Sequence, residues 1–200
     1  MVTIVLGPVR SGKSARAAAL ASASGKRVIL AVTAALDPSD AEMTARVERH
    51  RRDRPPSWTV IETARQSPLA AVVRDAPADA CVLVDALGTW IAALLLDCEG
   101  LDGTADGRSA DAAAKAAAVL DAQGADLAAA LASARADVVV VAEETGWGLV
   151  PPSPLGRVFR DALGRLTQLL ASRADRVELV VAGYAVDLRR IGTPVSGERA

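Results

Sequence analysis

The run Gly7-Pro8-Val9-Arg10-Ser11-Gly12-Lys13-Ser14 constrains this chain more than any other feature, because it fits the pattern G-x-x-x-x-G-K-[ST] at every fixed position. An apolar stretch, Val2 to Leu6, precedes it and an Ala-rich segment, Ala15 to Ala23, follows it. Strand, loop and helix therefore come in the order the pattern requires. A polyphosphate needs several donors converging on one small volume, and a loop bending back over a helix N-terminus supplies them from backbone N–H groups. Gly7 and Gly12 permit the backbone angles and the close approach. Lys13 brings a mobile positive charge to the β and γ phosphates, and the Ser14 hydroxyl is placed to ligate the Mg²⁺ that travels with them.

The rest of the chain sets the frame for that loop. Apolar runs at Arg27 to Thr33 and Asp137 to Ala142 read as strands buried on both faces, Cys81 to Asp85 as a further strand, and Arg176 to Ala182 as the final one. Helical segments separate them, among them 88–97, a long Ala-rich helix ending near Ala136 with a stripe of Leu120, Leu127 and Leu131, and a helix opened by Ser153-Pro154. Alternating strands and helices predict an α/β fold of the P-loop NTPase type, a mostly parallel sheet with helices on both faces. At 200 residues one domain is expected, over 1–186, with a polar, loose tail at 187–200.

Charge and composition exclude several classes. With 23 Lys+Arg against 24 Asp+Glu the formal net charge is −1, so no global field recruits nucleic acid or an anionic membrane. Aromatic residues make up only 2% of the chain, too few for a base-stacking surface. Cys81 and Cys98 have neither metal-type nor C-x-x-C spacing and read as free thiols of a reducing cytoplasm. Apolar stretches are broken by charge before the ~18 residues a membrane span needs, and the N-terminus shows no export signal.

Open α/β sheets bind ligands at the carboxyl ends of their strands, which points to three further stretches. Thr33-Ala34-Ala35 follows the second strand; Thr33 reads equally as a nucleotide contact or a plain strand-end residue. Asp85 ends an apolar run, where its carboxylate can meet the Mg²⁺ held by Ser14. Glu143-Glu144-Thr145-Gly146 ends the next run with acid and glycine. Between Ala35 and Asp85, Ser39-Asp40-Ala41-Glu42 forms a capping box for a helix that places Met43, Val47 and His50 on one face. His50, the only histidine, is followed by Arg51-Arg52-Asp53-Arg54-Pro55. From the residues alone it is either a satisfied histidine beside a solvated basic patch, or a nucleophile with arginines nearby to hold phosphates.

The order of these pieces is specific. After the phosphate loop come Glu42-Met43 with Arg46, His50-Arg51 with Arg54-Pro55, then Trp58 and Glu62. Asp85, the segment Glu144 to Pro151, Arg160-Asp161 with Gly164-Arg165, and Ala174-Asp175 follow. Over roughly residues 2 to 183 this resembles the adenosylcobinamide kinase/adenosylcobinamide-phosphate guanylyltransferase family of cobalamin biosynthesis. The resemblance implies two activities: phosphorylation of adenosylcobinamide by a nucleoside triphosphate, ATP or GTP, then GMP transfer from GTP to give adenosylcobinamide-GDP and pyrophosphate. It implies that His50 carries GMP covalently, and that Gly7 to Ser14, Thr33, Ala34, Ala35, Arg51, Arg52, Asp53, Arg54, Glu62 and Asp85 line the nucleotide site. A carboxylate such as Glu62 could read the N1–H and N2 donors of guanine. A homo-oligomer is also expected.

Pro8-Val9 departs from the small residues often found inside the loop, Thr167 stands where the family usually has Asn, and the Gly- and Asp-rich stretch 99–109 matches nothing in it. Two other readings remain: a kinase of some other small alcohol or nucleotide with His50 merely structural, and a nucleotide-dependent switch. Asp85-Ala86-Leu87-Gly88 matches D-x-x-G for the switch, but a guanine-reading N-K-x-D element is missing.

Overall fold

The computed structural model describes residues 1–34, 54–63, 68–96, 98 and 108–195. Seven strands form one sheet in the order β3-β2-β4-β5-β1-β6-β7. They are β1 (Val2–Gly7), β2 (Arg27–Val32), β3 (Thr59–Glu62), β4 (Ala80–Asp85), β5 (Asp137–Glu143), β6 (Arg176–Val181) and β7 (Tyr184–Asp187). Every neighbouring pair is parallel except β6 with β7. The helices are α1 (Lys13–Ala23), α2 (Leu69–Asp75), α3 (Leu87–Leu96), α4 (Arg108–Ser133), α5 (Pro154–Arg173) and the short α6 (Leu188–Ile191).

Continuous apolar runs give the central strands two buried faces, and side chains alternate between them. Ile4, Val82, Val84, Val138 and Val140 pack with α2, α3, α4 and α5 on one side. Val5, Cys81, Leu83, Val139 and Val141 pack with Ala17 and Ala21 of α1 on the other. The mostly parallel sheet covered on both faces is thus as the sequence predicts. In α4, Leu120, Leu127 and Leu131 are buried as the stripe requires. Gly25, at φ 69, lies just beyond the end of α1, and Ser153 caps α5 by accepting from the Gly156 N–H at 3.1 Å. Among the described residues no helix is long and apolar enough to cross a membrane.

The end of the chain differs from expectation. The sequence predicts the strand from Arg176 as the last, with a loose tail from Asp187, whereas in the structure β7 follows and pairs antiparallel with β6. Ala182 and Gly183, at φ 51 and 83, make the two-residue turn between them, the positive-φ geometry that suits a tight hairpin. Asp187 then caps α6 by accepting from the Arg189 N–H at 3.0 Å. The capping box at Ser39, the helix through His50 and most of the stretch 99–109 lie outside the described residues, although α4 begins at Arg108.

Candidate active site at the phosphate loop

β1 ends at Gly7 and α1 starts at Lys13, so the loop between them turns the chain from a sheet edge into a helix N-terminus. Arg10 and Gly12 take positive φ, 58 and 100. A Cβ on Gly7 would run into the Val180 carbonyl oxygen and stand 2.7 Å from Ser11 Oγ, so this position admits only glycine. The loop is braced from behind: the Gly183 N–H in the hairpin turn donates to the Ser11 carbonyl at 3.0 Å, and the Glu144 N–H donates to the Gly7 carbonyl at 2.9 Å.

Gly12 at the N-cap of α1 brings no side chain, the Ser11 hydroxyl meets the helix end by accepting from the Lys13 N–H at 3.3 Å, and the first turn holds no acid. Its orphan N–H groups and dipole therefore favour an anion. Lys13 is 6% exposed and its Nζ donates to the Pro8 carbonyl at 3.4 Å, which folds the side chain back over the loop. Pro8-Val9, the departure noted from sequence, leaves this cradle formed; Val9 points to solvent at 69% exposure.

Strand order brings three side chains together. β5 lies between β1 and β4, and register pairs Glu143 with Gly7. Glu143 Oε2 accepts from the Gly88 N–H at 2.7 Å. Burial pushes the Glu143 carboxyl above the ordinary carboxylate range; the Gly88 N–H and the Lys13 charge oppose this, and the Asp85 charge adds to it. Lys13, Asp85 and Glu143 thus share one electrostatic environment at the tips of β1, β4 and β5.

Thr33 sits at the end of β2, but its hydroxyl is taken. It bonds with the Ala86 carbonyl at 2.6 Å and Thr89 Oγ1 at 2.6 Å, and accepts from the Ala86 N–H at 2.9 Å. The Thr33 backbone N–H donates to the Asp85 carbonyl at 3.3 Å, so a polar nucleotide contact at Thr33 would use its carbonyl oxygen. Ala34 is half-buried against the α1 side of the core. Glu62 ends edge strand β3, level with Val32 and hence with Asp85. Four strand spacings separate β3 from β1, roughly 19 Å, so a single ligand reaches both Glu62 and the loop only by lying across the strand tips. Arg54 is half-buried. Ala35, His50, Arg51, Arg52 and Asp53 lie outside the described residues.

The expected Mg²⁺ fits what is here. The half-buried Ser14 hydroxyl and Asp85 carboxylate are hard oxygen donors, and among the described residues no group of three or more His, Cys, Asp or Glu could cage a metal. Magnesium usually takes one or two protein oxygens and completes its shell with substrate phosphates and water.

A family model described as cobinamide kinase / cobinamide phosphate guanyltransferase matches residues 3–188. The chain belongs to that family. It is 37% identical over 190 residues to the bifunctional adenosylcobalamin biosynthesis protein CobU of Escherichia coli (strain K12), across 94% of this chain and 100% of the relative. A CobU of Salmonella typhimurium is likewise 37% identical over 189 residues, with the same coverage. The bifunctional adenosylcobalamin biosynthesis protein CobP of Pseudomonas aeruginosa is 36% identical over 192 residues, across 94% and 98%. Cobinamide kinase/cobinamide phosphate guanyltransferase is therefore the enzyme class of this chain, as the order of its motifs implied. Among solved structures, the P4 protein of bacteriophage phi6 in complex with ADP overlaps 92% of this chain and 53% of its own, at TM-score 0.43 and 16% identity. A type III secretion ATPase overlaps 97% and 58%, at 0.49 and 11%. Those two overlaps carry no functional argument.

The sequence marks Glu143-Glu144 as acid at the ligand edge but gives Glu143 no role of its own and no tie to Gly88. The signal at Glu143 was the one that singled out Asp85, a buried valine run ending in a carboxylate. The hairpin turn behind the loop was also missed; the pair Ala182-Gly183 was its only local mark.

Proposed function

We propose that this cobinamide kinase/guanyltransferase works at one phosphate loop in two successive reactions. In the first, the aminopropanol hydroxyl of adenosylcobinamide attacks the γ-phosphorus of ATP or GTP. A new O–P bond forms, the bond to the β-phosphate oxygen breaks, and the hydroxyl proton is lost. In the second, a ring nitrogen of His50 attacks the α-phosphorus of GTP and pyrophosphate leaves. An oxygen of adenosylcobinamide phosphate then displaces the imidazole, breaking the N–P bond and giving adenosylcobinamide-GDP. Covalent catalysis here splits one difficult displacement into two easier ones.

The observation that carries this reading is the phosphate cradle with the buried Lys13 folded over it, one strand from Glu143 and two from Asp85, in a chain of this family. Lys13 and the N–H groups of the loop hold the β and γ phosphates, and stabilise pyrophosphate as it departs. Arg51, Arg52 and Arg54 steady charge at the α position, Asp53, Ala34 and Ala35 complete the nucleotide wall, and Glu62 reads guanine. Ser14 and Asp85 would hold Mg²⁺, which when bound offsets charge on the phosphates. We place the enzyme in the cytoplasm, in keeping with two free cysteines, and as a homo-oligomer.

The test is product analysis with adenosylcobinamide, ATP and Mg²⁺, followed by addition of GTP. We expect adenosylcobinamide phosphate first and adenosylcobinamide-GDP after GTP. Lys13→Met should stop both steps and His50→Ala only the second. ATP hydrolysis without a phosphorylated corrinoid would overturn the reading.

A further inference from the structure

A cavity of about 510 Å³ lies on the α5 face of the sheet, within the size range of small-ligand sites. Its wall includes Leu6, the residue before the phosphate loop, then Glu143 and Glu144 from the tip of β5, and Arg160, Gly164 and Thr167 from α5. It therefore adjoins the loop directly: the Glu144 N–H is bonded to the Gly7 carbonyl. The nucleotide residues Lys13, Ser14 and Asp85 are not in its wall.

Two residues of this wall, Arg160 and Thr167, each carry a polar atom, Nη1 and Oγ1, that is buried with no hydrogen-bond partner among the described residues. Buried polar groups are rarely left so, and a side-chain rotation that turns either atom into the cavity would let a ligand there supply the missing bond. The remaining charges bound the ligand. Arg160 and Arg165 share the wall with Glu143, Glu144 and Asp161, a mixture that does not select a polyanion. It suits a neutral group that both donates and accepts, as a primary amide does. Beyond the wall the same β5–α5 connection exposes Trp147, Leu149 and Val150, at 63%, 96% and 67%, an apolar surface for the body of a large ligand.

We propose that this cavity is the acceptor pocket and takes a neutral, amide-bearing edge of the corrinoid, setting its reacting oxygen beside the phosphate loop. The assignment rests on the function proposed above. It divides the site by strand tips: nucleotide over β1, β4, β2 and β3, acceptor on the α5 side of β1 and β5.

The test is the affinity of the full chain for adenosylcobinamide and for Mg²⁺–GTP, measured by equilibrium dialysis in wild type, Gly164→Leu and Thr167→Val. A Cβ at Gly164 would meet no heavy atom within 4 Å, and leucine favours a helix interior over glycine. This variant should therefore fold at least as well as wild type while filling the pocket. We expect its Kd for adenosylcobinamide to rise at least tenfold, with Thr167→Val raising it roughly three- to tenfold, and Kd for GTP to stay within about twofold in both. A corrinoid whose side-chain amides are hydrolysed to carboxylates should bind wild type more weakly. Unchanged adenosylcobinamide affinity in Gly164→Leu, or equal binding of the hydrolysed corrinoid, overturns the pocket assignment alone. Wild type that binds GTP but no adenosylcobinamide overturns the function reading and the pocket with it.

Discussion

Glu143 Oε2 accepts the Gly88 N–H at 2.7 Å, and the tip of β5 is thereby fastened to the first turn of the helix that follows Asp85. The two residues fit closely: a Cβ at Gly88 would stand 2.6 Å from Glu143 Oε2 and 2.8 Å from its Cδ. The fit holds a carboxylate between the phosphate-loop strand and the Asp85 strand, so mutual positions of the site's charges depend on it.

Gly88→Ala should therefore destabilise the wild type by on the order of 1–2 kcal/mol through overpacking. In a Glu143→Ala background the same change should cost almost nothing, since the clash is gone and alanine suits a helix better than glycine. Chemical denaturation of the four proteins gives the coupling directly. Equal costs in the two backgrounds would mean that Glu143 moves aside freely.

Glu143 also makes a pH-dependent contribution of unfavourable sign. Its folded pKa is raised, chiefly by burial, so the folded state binds its proton more tightly than the unfolded chain does. The penalty is absent below the ordinary carboxylate pKa and develops as pH rises from there through the folded pKa. Glu143→Gln should thus be more stable than wild type at pH 8, by on the order of 1 kcal/mol or about 2–4 °C in Tm. The difference should shrink towards pH 4. A series of thermal melts from pH 4 to 8 checks both sign and trend.

The opposite case is Glu178, which is 1% exposed on β6 and takes a two-point ion pair from Arg16 of α1, at 2.8 and 2.9 Å, with Arg176 as a second partner. The Arg16 hydrogen bond, against the effect of burial, holds its carboxyl below the ordinary value. That stability is present above the unfolded carboxylate pKa and is lost as pH falls through the lower folded one. Arg16→Met strands part of a buried charge and should cost on the order of 3 kcal/mol at neutral pH. Glu178→Gln should flatten the loss of stability below about pH 4. Urea midpoints at pH 7 and pH 3 measure both.

Most of the architecture was legible because it is written locally. Val2 to Leu6, Cys81 to Val84 and Val138 to Ala142 are short, valine-rich runs of the kind a strand buried on two faces takes, and the phosphate loop names its own strand and helix. Less legible was whatever depends on partners distant in the chain. The Glu143–Gly88 bond joins residues 55 apart, and no spacing rule announces it. Thr33 could be read as a ligand contact or as structure, and only the Ala86 and Thr89 groups brought beside it commit its hydroxyl. β7 escaped notice because Tyr184, Ala185 and Val186 are all exposed on an edge, leaving no buried alternation to mark a strand.

The central claim is a GMP adduct on His50, and the direct measurement is incubation of the protein with Mg²⁺ and GTP labelled at the α-phosphorus, followed by denaturation. A phosphoramidate is labile to acid and stable to alkali. We predict protein-bound label with that stability, absent in a folded His50→Ala variant. A folded protein that binds GTP but carries no label, or label that persists in His50→Ala, would contradict the account.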